Sequence, residues 1–403
     1  MCNVLDRWNP NPFHETRRKG KTRQIRIQLV QTVLAGALIW LSASCSGFAG
    51  EAAMVGWKKQ VFDFGAPDLR GVLMLPDDST MQTAQYQPRQ AGTAGQSTIV
   101  AKIDASASVP ADITIMAFDL EYPASPLRAC AYEIQAIGLD PVSQSVTDDM
   151  SSATLRSVEV REGKFEQIGF TRCLTRGTKL LAFHFAVKPQ SVDEDGAVEL
   201  GETIETFAEE MFREMSFEDD MPVSHWHGMT DIELKLGEQT TTLKASAAWT
   251  VAINDFSGPL PAELHLVRKR DGKDAGLVWL GAFPASESFD ISGDGERILR
   301  DFIAKQSPDF GEIKLVLDDR LTLPEGISGE QHRFRFEITS KSGGEAGDVL
   351  AMVTRSGDKL YTLAWWSSPI SGDIARERFM ARLPGLTAYD LVLAAMNRLI
   401  VAR

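Results

Sequence analysis

The chain has 403 residues, with 42 Lys/Arg against 55 Asp/Glu, a formal net charge of −13, 43% hydrophobic and 24% charged residues. That balance is globular, excludes a collagen-like or low-complexity polymer, and allows two or three domains. Beyond residue 49 the acidic residues number 53 and the basic 35, a surface that repels polyanions and anionic headgroups, so nucleic acid is excluded as a partner.

Residues 1–28 are polar and basic, with Arg17, Arg18, Lys19, Lys21, Arg23 and Arg26; an apolar run Leu29–Leu41 follows, then small residues ending Gly47-Phe48-Ala49. This is the order of a secretory signal peptide, with cleavage expected after Ala49. Residues 29–50 are also long enough to span a bilayer, so 1–49 is read as a signal peptide or membrane anchor. Cys45 is a candidate lipidation site, although Leu41 stands four residues before it where the lipoprotein pattern has three. Each reading puts the remaining chain outside the cytoplasm: periplasmic or secreted, or anchored and facing the periplasm. The membrane is then met only through the N-terminal segment. Cys130 and Cys173 remain after processing. In an oxidising compartment they form a disulfide, closing a loop of about 43 residues and adding roughly 3–4 kcal/mol, or stay as two buried thiols.

A first strand or linker is expected over 50–66, then strands at 71–76, 99–103 and 112–121, the last alternating as ADITIMAFDLE. PASPLRACAYEIQAI (123–137) reads as a helix, with Ser125 as N-cap, Pro126 in the first turn and Gly138 at the end. Strands follow at 155–160, 165–173 and 179–187, joined by turns at Glu162-Gly163-Lys164 and Arg176-Gly177-Thr178. An acidic loop at 191–202 leads to a helix at 203–216. The same order then recurs: strands near 249–253, 262–269 and 276–282, a helix at 296–306, strands at 312–317, 331–340, 348–354 and 359–366, a helix at 373–384 and an amphipathic terminal helix at 390–401. The chain is thus divided into a first unit at 56–220, a linker at 221–240, a second unit at 241–392 and a tail at 393–403. Each unit is expected to be an α+β layered sandwich, an antiparallel sheet with helices packed on it.

The repeat is carried by Thr175-Arg176-Gly177-Thr178-Lys179-Leu180 and Thr354-Arg355-Ser356-Gly357-Asp358-Lys359-Leu360, each followed by an apolar strand and a helix. Leu127-Arg128 and Leu299-Arg300 stand 172 residues apart and the Lys-Leu pairs 180 apart. The order of strands, helix, hairpins, Thr-Arg-x-Gly-x-Lys-Leu run and final helix resembles the PsbP-like superfamily. That fold is shared by an extrinsic protein of photosystem II, a Ran-binding nuclear import factor and many bacterial envelope proteins. The resemblance covers about 56–220 and 240–392, and implies an accessory or binding protein without catalytic residues. No Ran- or photosystem-contacting residue carries over.

Three groups of residues are candidates for chemistry. Asp290, Ser292, Asp294, Gly295 and Asp301 follow the D-x-S-x-D-G spacing that wraps oxygens around calcium. The same run also reads as a helix start, with acids at the positive end of the dipole. His225 and His227 alternate about Trp226, which on a strand places both on one face, where they can share a metal. Trp365 and Trp366 point to opposite faces of a strand, one into the core and one towards a groove or under a helix. No G-x-S-x-G, G-x-x-x-x-G-K-[ST], H-E-x-x-H or Cys-x-x-Cys motif is present. The expected function is therefore an exported, non-enzymatic accessory or adaptor protein of the cell envelope, without a cofactor, contacting an envelope protein. The alternatives are a periplasmic small-ligand or calcium-binding protein and an envelope hydrolase.

Overall fold

The computed structural model describes residues 56–86, 97–189, 192–286, 288–323, 329–370 and 375–401. The expected signal peptide or anchor over 1–49, the expected cleavage after Ala49 and the candidate lipidation site Cys45 lie outside the described residues.

The fold is α+β with antiparallel sheets. In the first half β1 (Trp57–Asp63) and β2 (Arg70–Pro76) form a hairpin, joined later by β10 (Ser216–Phe217). The first large sheet is built from β3 (Met81–Thr83), β4 (Ser97–Ile103), β5 (Asp112–Asp119), β6 (Asp140–Val146), β7 (Ser152–Arg161), β8 (Lys164–Arg176) and β9 (Lys179–Val187), in the order β3-β4-β5-β9-β8-β7-β6. Helix α1 (Pro126–Ala136) follows β5, and α2 (Glu194–Phe212) follows β9.

The second half opens with the hairpin β11 (Met229–Leu236) and β12 (Gln239–Ser246). Its seven-stranded sheet comprises β13 (Thr250–Asn254), β14 (Ala262–Arg270), β15 (Lys273–Pro284), β16 (Phe310–Leu321), β17 (Glu330–Ser340), β18 (Glu345–Ser356) and β19 (Lys359–Ser367), in the order β13-β14-β15-β19-β18-β17-β16. That is the strand order of the first sheet. Helix α3 (Gly293–Gln306) follows β15 and α4 (Ala375–Val401) follows β19, the positions held by α1 and α2.

Each sheet is covered on both faces. In the first half, β1–β2 and α2 bury one face through Phe62, Leu73, Ile204, Phe207 and Phe212 against Phe183 and Phe185. Helix α1 buries the other through Leu127, Cys130 and Ala131. In the second half, β11–β12 and α4 bury one face and α3 the other. Along the central strands β9 and β19 consecutive side chains are buried, because the pleat turns them alternately to two covered faces. The hairpins are set by their turns: Glu162-Gly163 and Asp271-Gly272 both hold positive φ at two successive residues, the geometry that matches strand twist.

Several expectations are corrected. Residues 221–240 are not a bare linker, because β11 lies within them and pairs along its length with β12. The acidic stretch from Glu194 is the start of α2: Asp193 caps it by accepting from the Gly196 amide at 2.9 Å, and Glu194 and Asp195 lie in the first turn. Its two glycines, each costing about 1 kcal/mol in a helix, disguise it as a loop. The helices expected at 373–384 and 390–401 are one helix, with Pro384 inside it, so 393–403 is not a separate tail. Burial of Tyr389, Val392, Met396 and Leu399 offsets the roughly 3 kcal/mol cost of an interior proline. Finally, the repeated turn is matched one residue off. Gly177 and Gly357 share positive φ (59° and 62°), and Lys179 pairs with Arg176 as Lys359 pairs with Ser356. Arg176 therefore corresponds to Ser356, and Arg355 to Thr175.

Candidate functional site

The calcium-like loop is spent on starting α3. The Asp290 carboxylate accepts from the amides of Ser292 and Gly293, at 3.3 and 3.1 Å, and Asp294 accepts from the Asp290 amide and from Arg297. The Arg297 hydrogen bond holds the Asp294 carboxyl below the usual carboxylate range. Asp301 is exposed two turns into the helix. Among the described residues, no three His, Cys, Asp or Glu side chains are gathered as a metal site. Ser292 instead donates to Asp318 Oδ2 at 2.5 Å, and His332 Nδ1 lies 2.9 Å from Asp318 Oδ1. Burial works to raise the Asp318 carboxyl, but these two hydrogen bonds outweigh it and hold it low. The carboxylate sits between serine and histidine, so the imidazole is not placed to take the serine proton, as a hydrolytic triad requires.

The His225-Trp226-His227 segment is laid against the β8–β9 turn. The His225 amide donates to Thr175 O at 2.8 Å, and a Cβ at Gly177 would lie 3.2 Å from His227 Cβ. The two imidazoles are 6.4 Å apart, centroid to centroid. Burial, and then the nearby Arg176 charge, lower the His225 pKa. Trp226 donates to Asp149 O at 2.6 Å. Arg176 was not singled out as a site, yet it anchors this region. Its fully buried guanidinium donates to the carbonyls of Asp68, Pro222 and Val223 at 3.0 Å each and to Asp219, and stacks 3.6 Å over Phe217.

Trp365 and Trp366 separate across the sheet. Trp365 is buried under α4, against Gly385. Trp366 lies on the α3 face, where it lines a notch of about 10 Å³ with Leu277, Phe302, Phe310 and Val349. That is room for about one water molecule, far below the roughly 300–1,000 Å³ that enclose a drug-sized molecule.

The face that stands out by charge is the outer side of α2. This helix carries seven acidic residues and no basic one. Ile204, Phe207, Ala208 and Met211 face the core, while Glu194, Asp195, Glu199, Glu202 and Glu209 are exposed. Arg156 pairs with Glu205 and Arg213 with Glu210. Acids in the first turn favour the helix dipole, whereas Glu209 and Glu210 in the last turn oppose it. Helix stability therefore does not account for the exposed Glu199 and Glu202, which lie in neither end turn. The sequence signal was available: acids on one side of a 3.6-residue apolar period.

No family model and no curated protein sequence matches the chain. Among solved structures, the chain is similar to the Ran-binding protein Mog1p of Saccharomyces cerevisiae (12% identity, 43% of this chain, 96% of that one, TM-score 0.28). It is also similar to cyanobacterial PsbP (CyanoP) from Synechocystis sp. PCC 6803 (9%, 44% and 96%, TM-score 0.30). A third similarity, to the immunity protein TplEi of T6SS from Pseudomonas aeruginosa in complex with a peptide, covers 85% of this chain and 97% of that one (8% identity, TM-score 0.20).

Proposed function

We propose that this chain is an exported, non-enzymatic protein-binding factor of the cell envelope, built from two PsbP-like units and recognising a partner with a basic surface. The acidic outer face of α2 carries the reading. Glu194, Asp195, Glu199 and Glu202 form a single-sign patch on a rigid helix, of the kind that steers a cationic partner and fixes its register. The small volume of the Trp366 notch and the central position of Asp318 favour neither the small-ligand nor the hydrolase alternative. Among the compared proteins TplEi is an immunity protein determined with a bound peptide; a polypeptide ligand is the matching expectation for this chain, and it rests on the α2 face instead of that likeness.

The test is cross-linked affinity purification of the tagged chain from its own envelope, beside a Glu199→Lys/Glu202→Lys variant. Both side chains are exposed, so the substitutions disturb no packing. A stoichiometric partner captured by the native chain, and lost both in the variant and at high salt, supports the reading. A partner retained by the variant would remove α2 as the surface. An empty capture with extra mass on the native protein would replace the adaptor by a small-ligand binder.

A further inference from the structure

Helix α1 has 11 residues and no side-chain cap, so it is marginal by itself. Its counterpart α3 is braced along its own surface by Asp294–Arg297 and Glu296–Arg300 ion pairs. The charges of α1 are turned outward, onto α4. Arg128 Nε and Nη2 donate to the Asp390 carboxylate at 2.7 and 2.5 Å, with the two side chains 4% and 2% exposed. Arg376 pairs with Glu133 at 2.9 Å, Tyr132 stacks on Phe379 at 4.1 Å, and the Ser125 amide donates to Thr387 Oγ1 at 2.8 Å. Phe379 and Leu383 complete the core under α1. Residues 376–390 of α4 thus carry the contacts with α1, while over the same stretch Arg268 donates to Ala381 O and Arg382 pairs with Asp348 of the second half.

Besides apolar packing on Leu155, Leu180 and Ala182 of its own sheet, α1 is tied to β8 covalently by the bond between Cys130 and Cys173, whose Cα atoms lie 6.5 Å apart. Both cysteines are buried in the same core as Phe379 and Leu383. Helix α3, which carries no such joint, has no cysteine.

We propose that the Cys130–Cys173 disulfide is the latch of the joint between the halves: oxidation fixes α1, α1 seats the first turns of α4, and the placement of one half on the other depends on redox state. Closing the bond passes two protons and two electrons from the thiols to a disulfide oxidant, which becomes a dithiol. Opening it returns them from a dithiol reductant. Because coupling between sites is reciprocal, loosening the joint from the α4 side must make the bond easier to reduce.

Two measurements test this on the full mature chain. In the first, the native disulfide and that of Phe379→Ala are equilibrated against a dithiothreitol redox buffer. The variant is expected to be reduced at a tenfold lower dithiol-to-disulfide ratio, about 30 mV; an unchanged ratio would overturn the proposal. In the second, hydrogen exchange compares native protein with Cys130→Ser/Cys173→Ser. Exchange should rise at least tenfold in 376–383 and stay unchanged in β14 and β15. Faster exchange confined to α1 and β8, with 376–383 still protected, would show that the bond serves the first half alone. Should the double variant fail to fold, the redox equilibrium of Phe379→Ala decides.

Discussion

Acidification should weaken this protein through one histidine. His184 of β9 is 6% exposed; its Nδ1 lies 2.9 Å from Thr171 Oγ1, and its Nε2 has no partner. Burial pushes the imidazole down to about 4, so it is neutral in the folded state. An unfolded histidine titrates near 6.5. Between those values the unfolded chain takes up a proton that the folded chain refuses. The stabilisation is therefore complete above about pH 6.5 and is lost as pH falls towards 4. The loss is about 3 kcal/mol in all, of which about 2 kcal/mol falls between pH 7 and pH 5. The assay is urea denaturation at both pH values for the native chain and for Thr171→Ala/His184→Ala. The second half has Ala351 and Ala364 at this paired register, so the variant borrows a pairing the fold already uses. The other shifted groups, Asp149, His225 and Asp318 among them, act in both proteins and cancel in the difference. The native chain should lose about 2 kcal/mol more than the variant. A difference under about 0.5 kcal/mol would refute the buried neutral imidazole.

The buried Arg128–Asp390 pair predicts that Arg128→Met or Asp390→Leu alone lowers stability by about 3–5 kcal/mol, since each strands a buried charge. The double variant should recover most of that, and chemical denaturation of the four proteins gives the coupling. Replacing Cys130 and Cys173 by serine should lower stability by about 4 kcal/mol, from the 43-residue separation of the bonded pair, measured in the same way. A Cβ at Gly385 would come within 2.6 Å of Trp365 Cε2, so Gly385→Ala should cost about 1–3 kcal/mol and change the tryptophan emission. Millimolar calcium should leave Tm unchanged, because the Asp290 and Asp294 carboxylates already bind amides and Arg297. A rise of several degrees, abolished by Asp294→Ala, would overturn the helix-start reading.

β5 was legible by its alternation, since a pleated strand with one buried face buries every second side chain, and β9 by a near-continuous apolar run buried on both faces. β6 was missed: its sequence DPVSQSV is polar and contains proline, and it is held at the sheet edge by pairing with β7. The N-terminal part of α2 was missed because its capping aspartate and first-turn acids resemble a solvated loop. Of the candidate residues, the sequence placed Trp365 and Trp366 on opposite faces, which follows from strand geometry alone. It could not show that Asp318 and His332, 26 and 40 residues beyond Ser292, would turn the calcium-like loop into part of a hydrogen-bonded cluster.

The sequence by itself determined the elements whose pattern is local: the apolar central strands, the turn glycines and the repeated order of strands and helices. Only the tertiary structure decided which long side chains meet. Arg128 and Asp390 are 262 residues apart, and nothing in the neighbourhood of either announces a buried ion pair. Periodicity specifies which face of an element is buried; it does not specify what that face is buried against. For α1 that answer is the helix at the far end of the chain, because α4, seated on the second sheet, still has Phe379 and Leu383 to cover and the first half supplies the surface.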